Sequence, residues 1–104
     1  MPITIAITRN PSDRVLGFLA SCMCEVAPGV FTGPRMSKAV RERIWAVLSD
    51  WYPHEREDYS IVLTWPDAAE HSGQAFLSLG SPRVHLRDVS GIVVRWVPAE
   101  RVGD

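Results

Sequence analysis

The chain has 104 residues, of which 46% are hydrophobic and 22% are charged. A chain of this length holds one hydrophobic core, so we expect a single domain over residues 1–98 and a short tail over residues 99–104. Eleven basic residues against twelve acidic ones give a net charge of −1, which excludes the global basicity of a free-standing nucleic-acid-binding protein but allows a local basic face.

The charges are unevenly distributed along the chain. Residues 1–45 hold six basic and three acidic residues, whereas residues 46–82 hold one basic and six acidic residues. Ten of the eleven basic residues are Arg, whose planar guanidinium matches phosphate and carboxylate oxygens. A general composition bias toward Arg explains the same count, and both interpretations stay open.

The first two predicted elements are a strand and a helix. Residues 3–8 alternate apolar with small or polar residues and are rich in β-branched side chains, which is typical of a strand. Asn10 and Pro11 predict a helix cap and first turn, and Asp13 would meet the helix dipole. We expect this helix to end near Glu25, because an apolar stripe recurs at three- and four-residue steps. The stripe consists of Val15, Leu16, Leu19, Cys22, Met23 and Val26.

A hairpin and a second helix follow. Pro28 and Gly29 lie between two short apolar pieces within residues 25–33, which predicts a turn joining two brief strands. Ser37 is placed to cap a helix that Pro53 ends. One predicted face of this helix is apolar and consists of Val40, Ile44, Val47, Leu48 and Trp51. Residues 54–58 form a charged surface loop.

The remaining strands complete the predicted fold. Residues 60–65, 74–79 and 91–97 read as strands, and residues 67–73 as the hairpin loop between the first two. The order predicts an α+β fold with a ferredoxin-like βαββαβ core, two helices packed on an antiparallel sheet. Two C-terminal strands are left over, so we expect a two-fold homodimer in which these strands are shared between two copies.

The two cysteines and the N-terminal sequence indicate the cellular compartment in which we expect the protein. Cys22 and Cys24 lie two apart in an apolar run, and their spacing on a helix predicts two small buried residues rather than a disulfide or metal pair. No apolar stretch is long enough for a membrane span, and the N-terminus lacks the basic region of a signal peptide. We therefore expect a cytoplasmic protein.

Motifs for catalysis and cofactor binding are sparse. A metal-dependent nuclease needs converging carboxylates, yet Arg9 stands at the end of the first predicted strand, where this topology would place one. The position of Asp13 at a predicted helix N-terminus explains its charge. The acidic and histidine residues of 67–71 are explained by their position in a polar turn. The three histidines, in three predicted loops, have no zinc-site spacing, and no nucleophile elbow or phosphate-binding glycine loop occurs. We expect no metal, no nucleotide cofactor and no catalytic residue.

The one group of residues for which the sequence suggests a binding mechanism is basic. Its members lie near predicted helix starts or in the late loop, where side chains and backbone N–H groups favour phosphate. They are Asn10, Arg14, Lys38, Arg41 and Arg83. The competing interpretation is a solvated face with pairs at i,i+4, and spacing alone favours it.

Three runs of sequence resemble the type I-E branch of the CRISPR-associated protein two family. They are the strand and helix start within Ile5–Arg14, the Glu-Val-x-x-Gly-Val-x-x-Gly hairpin of residues 25–33, and the basic helix from Ser37 to Ile-Trp at 44–45. The strand ending at Trp65 and residues 91–98 match more weakly but in the same order, so the resemblance spans the chain to about Pro98.

This resemblance implies a ferredoxin-like homodimer that is a DNA-binding scaffold in spacer acquisition. It would hold a double-stranded prespacer between dimers of the CRISPR-associated protein one integrase, with Arg14, Lys38, Arg41 and Arg83 on the DNA backbone and residues 91–98 helping to dock the integrase. Other branches of the family are metal-dependent nucleases with an acidic residue at the position of Arg9, which here favours a scaffold without intrinsic activity.

Two further hypotheses stay open at this stage. One is an RNase or DNase that uses Mg²⁺ and is assembled across the dimer axis. The other is a regulatory ligand-binding domain of the same fold, for which the sequence offers no glycine-lined pocket.

Overall fold

The computed structural model describes residues 3–80 and, for the backbone, residues 85–89 and 92–96. Their secondary structure alternates strands with two α-helices. In chain order the elements are β1 (Ile3–Arg9), α1 (Asp13–Cys22), β2 (Cys24–Ala27), β3 (Val30–Pro34), α2 (Lys38–Trp51), a 3₁₀ turn (Tyr52–His54), β4 (Ser60–Pro66), β5 (Gln74–Gly80), β6 (His85–Val89) and β7 (Ile92–Trp96).

The main sheet confirms the ferredoxin-like core. Its five strands are antiparallel and lie in the order β2-β3-β1-β4-β5. β1 is central, pairing Ala6 with Phe31 on one side and with Leu63 on the other. The fold is therefore α+β, with two helices on an antiparallel sheet, and β5 extends the four-stranded core by one edge strand.

The core lies between the helices and one face of the sheet. Because alternate strand residues point to opposite faces, β1, β3 and β4 contribute alternate side chains to this layer, such as Ile61 and Leu63 of β4. The apolar side chains that are at most 8% exposed are Ala6, Val15, Leu19, Met23, Phe31, Ile44, Leu48, Tyr59, Ile61 and Leu63. Both helices are thus positioned by the burial of a few large side chains on each.

The start of α1 differs from the prediction. Ser12, not Asn10, is the N-cap: its Oγ accepts the N–H of Val15 at 3.2 Å, and Pro11 precedes the cap. Asn10 has φ +52°, a left-handed conformation that Asn adopts more readily than most residues. Asp13 opens the helix, as predicted.

The end of α1 is also earlier than predicted, which changes the environment of both cysteines. The helix stops at Cys22, and β2 begins at Cys24. Val26 lies on the edge strand β2 and is 60% exposed. Cys22 and Cys24 are exposed free thiols, so the expectation of two buried cysteines on one helix was wrong: pairing of Cys24 with Thr32 overrides the helical period.

The second helix confirms its predicted cap and most of its predicted apolar face. Ser37 Oγ accepts the N–H of Val40 at 3.2 Å, and Pro53 lies in the 3₁₀ turn that follows the helix. Ile44 and Leu48 are buried, whereas Val40 is 45% exposed because it lies in the first turn, beyond the edge of the core.

The strands after β5 outnumber the prediction. Residues 85–89 form a strand that pairs with β7 in a separate two-stranded sheet, with His85 opposite Trp96. His85 therefore lies on a strand and not in a loop. The sequence of β6 gave no strand signal, because its adjacent polar residues Arg87 and Asp88 interrupt the apolar alternation. No helix in the described part of the chain is long and apolar enough to cross a membrane.

The sheet has a second face that the two helices do not cover. On β1 this face carries Ile3, Ile5 and Ile7, of which Ile3 is 45% and Ile7 47% exposed. The register places Val62 beside Ile7 and Phe76 beyond Thr64 in the row of Ile5. The centre of the sheet therefore presents an apolar surface on the side away from α1 and α2.

Candidate nucleic-acid interface

The two helix starts that carry the predicted basic residues lie at opposite ends of the sheet. α1 follows the end of β1, whereas α2 follows the end of β3, which runs antiparallel to β1. Asn10 and Arg14 therefore lie at one end of the sheet, and Lys38 and Arg41 at the other. We call these the α1 site (Asn10, Ser12, Arg14, Trp51, Glu55, Asp58) and the α2 site (Lys38, Arg41, Glu42, Trp65).

In the α1 site, Arg14 is held between an aromatic ring and a carboxylate. Its guanidinium carbon lies 4.2 Å from the centre of the Trp51 ring, and its Nη2 donates to Glu55 Oε2 at 3.5 Å. The Arg14 side chain is 49% exposed, but that of Glu55 is only 2% exposed. Trp51 is itself fixed by an edge-to-face contact with Phe18, with ring centres 5.3 Å apart.

The same loop also ties down the segment between β1 and α1. Glu55 Oε1 accepts the N–H of Ser12 at 3.3 Å, and Asp58 Oδ2 accepts the amide N–H of Asn10 at 2.9 Å. Asn10 also donates to the Asp58 carbonyl at 3.3 Å. The loop of residues 54–58 is thus more than a charged surface loop, since its Glu55 and Asp58 bind the segment at the start of α1.

A buried phenol lies next to this cluster. Tyr59 is fully buried, and its hydroxyl oxygen has no hydrogen-bond partner among the described residues. Burial raises the pKa of Tyr59, and the negative charge of Glu55 and the neighbouring Tyr52 raise it further. The phenol is therefore neutral over the whole physiological range.

In the α2 site, Arg41 has a similar stack, and no buried carboxylate pairs with it among the side chains of residues 3–80. Its guanidinium carbon lies 4.1 Å from the centre of the Trp65 ring, on the end of β4. A groove of about 720 Å³ lies beside it, with Met36, Leu77 and Lys38 among its lining residues. Lys38 pairs with Glu42 at 3.9 Å, but both side chains are at least 66% exposed, so this pair contributes little.

The structure does not bring the predicted basic residues into one cluster. Arg41 and Trp51, whose ring lies beneath Arg14, are ten positions apart on α2, which corresponds to about 15 Å along the helix axis. Asn10 and Arg14 are neighbours, as are Lys38 and Arg41. Arg83 lies outside the described residues.

Sequence reasoning missed the partners of both arginines. Trp51 and Trp65 were assigned to an apolar face and a strand, and Glu55 to a surface loop. The opposite charges of residues 1–45 and 46–82 are the one signal of such pairing, and that signal does not specify Arg14 and Glu55, which are 41 residues apart.

The end of β1 presents a cation where a metal-dependent nuclease would need an acid. Arg9 is exposed and pairs with Ser60 of β4. Two nearby carboxylates on the loop are already engaged: Glu55 accepts hydrogen bonds from Ser12 and Arg14, and Asp58 accepts one from Asn10. Within residues 3–80, His, Cys, Asp and Glu side chains form no group of three able to hold a metal ion.

These features define a small ferredoxin-like protein with an arginine stacked on a tryptophan at each end of its helical layer. Residues 3–94 match the family described as CRISPR-associated protein (Cas_Cas2CT1978). The match covers most of the chain, so the protein belongs to this CRISPR-associated protein two family and has a role in CRISPR adaptation.

Proposed function

We propose that this protein is the DNA-binding scaffold subunit of a spacer-acquisition complex of the type I-E branch. It binds a double-stranded prespacer, and the CRISPR-associated protein one integrase carries out strand transfer. The observation that carries this proposal is the pair of arginines placed over the rings of Trp51 and Trp65, one at each end of the helical layer.

The stacks favour phosphate as the ligand. An arginine on an aromatic ring uses the face of its guanidinium for the ring, and its N–H groups around the edge remain for hydrogen bonds. At exposed helix starts these N–H groups meet phosphate oxygens rather than base edges in a groove. We therefore expect binding that depends on duplex structure and not on base sequence.

The spacing of the stacks favours two separate phosphates. About 15 Å along α2 corresponds to between four and five steps of about 3.4 Å along one strand of a duplex. Arg14 and Arg41 therefore contact different phosphates, and their contributions to the salt dependence of binding add.

A homodimer is part of the proposal. The uncovered sheet face carries the half-exposed Ile3 and Ile7 at its centre, an apolar surface that a second copy would remove from water. The β6–β7 strands supply a further hydrogen-bonding edge for such an assembly. Two copies present four arginine stacks to one duplex.

The scaffold role is preferred over a Mg²⁺-dependent nuclease because of Arg9 and the carboxylates near it. A cation at the end of β1 repels Mg²⁺, and Glu55 and Asp58 are engaged by donors from the α1 segment. The proposal requires neither a cofactor nor a catalytic residue.

The test is duplex binding and cleavage by the full chain together with its integrase. We expect equal affinity for two duplexes of one length and unrelated sequence, measured by fluorescence anisotropy, and no cleavage by the chain alone with Mg²⁺. Cleavage that requires Mg²⁺ and disappears in Asp13→Ala would support the nuclease hypothesis instead. A monomer in light scattering at micromolar concentration would contradict the homodimer.

A further inference from the structure

We infer that Glu55 and Trp51 are positioning residues that hold Arg14 in its phosphate-binding orientation before DNA arrives. This inference rests on the proposed function, because it concerns how one of its phosphate contacts is made. It assigns a role in DNA binding to an acidic residue, although the charge of a carboxylate by itself repels the phosphates of DNA.

The geometry restricts Arg14 from two sides. The guanidinium carbon lies 4.2 Å from the centre of the Trp51 ring, and Glu55 Oε2 accepts from one terminal nitrogen at 3.5 Å. The ring and the carboxylate together restrict where the guanidinium lies. The Arg14 side chain is still 49% exposed, so part of it remains accessible to a phosphate.

Glu55 is suited to this task because it is itself immobile. Its side chain is 2% exposed, and its second oxygen accepts the N–H of Ser12, the N-cap of α1. A mobile surface carboxylate would only neutralise Arg14. A fixed one removes the rotamer freedom that Arg14 would otherwise lose on binding DNA, which favours association.

Two opposing effects decide whether removal of the Glu55 charge strengthens or weakens the affinity for DNA. Loss of the Glu55 charge reduces repulsion of the phosphates, which strengthens binding in proportion to proximity. Loss of the fixed partner restores the freedom of Arg14, which weakens binding. Glu57 is the matched control, because it lies two residues away on the same loop, is exposed and carries the same charge.

The experiment is a double-mutant cycle on the integrase complex, with affinity for one duplex measured at several salt concentrations. We expect Glu55→Gln to weaken binding about fivefold with an unchanged salt slope, because the phosphate contact is still made after Arg14 is ordered. Gln keeps the volume and an oxygen for the Ser12 N–H. In an Arg14→Ala background, Glu55→Gln should have no weakening effect.

A measurement of side-chain mobility and a control variant distinguish positioning of Arg14 from a merely structural role of Glu55. In the free protein, ¹⁵N relaxation of the Arg14 Nε–H group should report an ordered side chain, which becomes mobile in Glu55→Gln and in Trp51→Phe. Glu57→Gln should leave this order unchanged and leave binding equal or slightly tighter.

The outcomes separate the inference from the function. If the unmodified complex binds the duplex with a steep salt dependence but Glu55→Gln behaves like Glu57→Gln, positioning by Glu55 is wrong and the scaffold function stands. Equal weakening with and without Arg14 would also overturn positioning, since Glu55 would then act through the fold. Failure of the unmodified complex to bind any duplex would overturn the function and the inference together.

Discussion

The α1 and α2 sites place the same pair of residue types in two different settings. Both stack an arginine on a tryptophan at about the same distance, 4.2 Å in the α1 site and 4.1 Å in the α2 site. In the α1 site a buried carboxylate joins the arginine to the helix cap. In the α2 site the arginine borders an open groove, and the nearest ion pair is exposed.

This difference shows that a basic residue at a helix start can have two roles at once. Arg14 is part of the contact between α1 and the loop before β4, so it contributes to stability as well as to charge. Arg41 covers the end of the core through Trp65, and it has no buried ionic partner in the part of the chain whose side chains the structure describes. Substitutions of Arg14 and of Arg41 should therefore affect DNA binding alike and stability differently.

The largest expected difference in stability is between the two acidic partners. Glu55→Ala should lower the free energy of unfolding by about 2 kcal/mol, because it leaves the Ser12 N–H and Arg14 without their charged acceptor. Glu42→Ala, which removes an exposed partner of Lys38, should cost at most about 0.5 kcal/mol. Urea denaturation of both variants measures this, and equal losses would show that the two sites are energetically alike.

The next effect concerns the backbone before α1. Asn10→Ala should lower the free energy of unfolding by about 1.5 kcal/mol, since Ala tolerates the φ of +52° poorly and cannot bind Asp58. Asn10→Gly removes the same hydrogen bond but accepts the backbone conformation, so it should recover part of the loss. If Gly and Ala were equally destabilising, the hydrogen bond to Asp58 alone would account for the effect.

A smaller effect of opposite sign is expected for the buried phenol of Tyr59, next to the α1 site. Tyr59→Phe should stabilise the protein by about 1 kcal/mol at neutral pH, because it removes a buried hydroxyl without a partner among the described residues. Loss of stability in this variant at pH 7 would indicate that the hydroxyl has a favourable contact after all.

The pH dependence of the same variant provides a second check. The Tyr59 pKa is higher in the folded protein than in the unfolded chain, so the folded state holds its proton above about pH 10, where an unfolded tyrosine loses it. The raised pKa of Tyr59 therefore makes its full contribution to the free energy of unfolding below about pH 10, and this contribution is lost as the pH rises further. Tyr59→Phe should reduce this alkaline loss in thermal denaturation curves.

Local patterns were sufficient to predict most of the fold. Ser37 before a regular apolar period fixed the start of α2, and β-branched alternation fixed β1 and β4. The start of α1 was misassigned because Asn10 bonds Asp58 instead of capping the helix, and Ser12 is the cap. The end of α1 was misassigned because Cys24 pairs with Thr32 in the β2–β3 hairpin and is therefore part of a strand.

The candidate site was less accessible to sequence reasoning. The helix starts and their arginines could be named from local signals, but their separation to opposite ends of the sheet follows from strand order. The partners Trp51, Trp65 and Glu55 come from other elements, and no local period records such contacts. The basic residues were thus predicted individually, whereas the arrangement required the fold.

The central claim is that Arg14 and Arg41 contact different phosphates of one duplex. The direct test is the slope of log affinity against log salt for the unmodified complex, Arg14→Ala, Arg41→Ala and the double variant, measured where all four are folded. With four phosphate contacts per subunit in a homodimer, at about −0.9 per contact, we expect about −7 for the unmodified complex. Each single variant should give about −5 and the double variant about −4, since the losses add. Slopes that are equal across the four complexes would contradict the claim and leave both stacks as elements of stability alone.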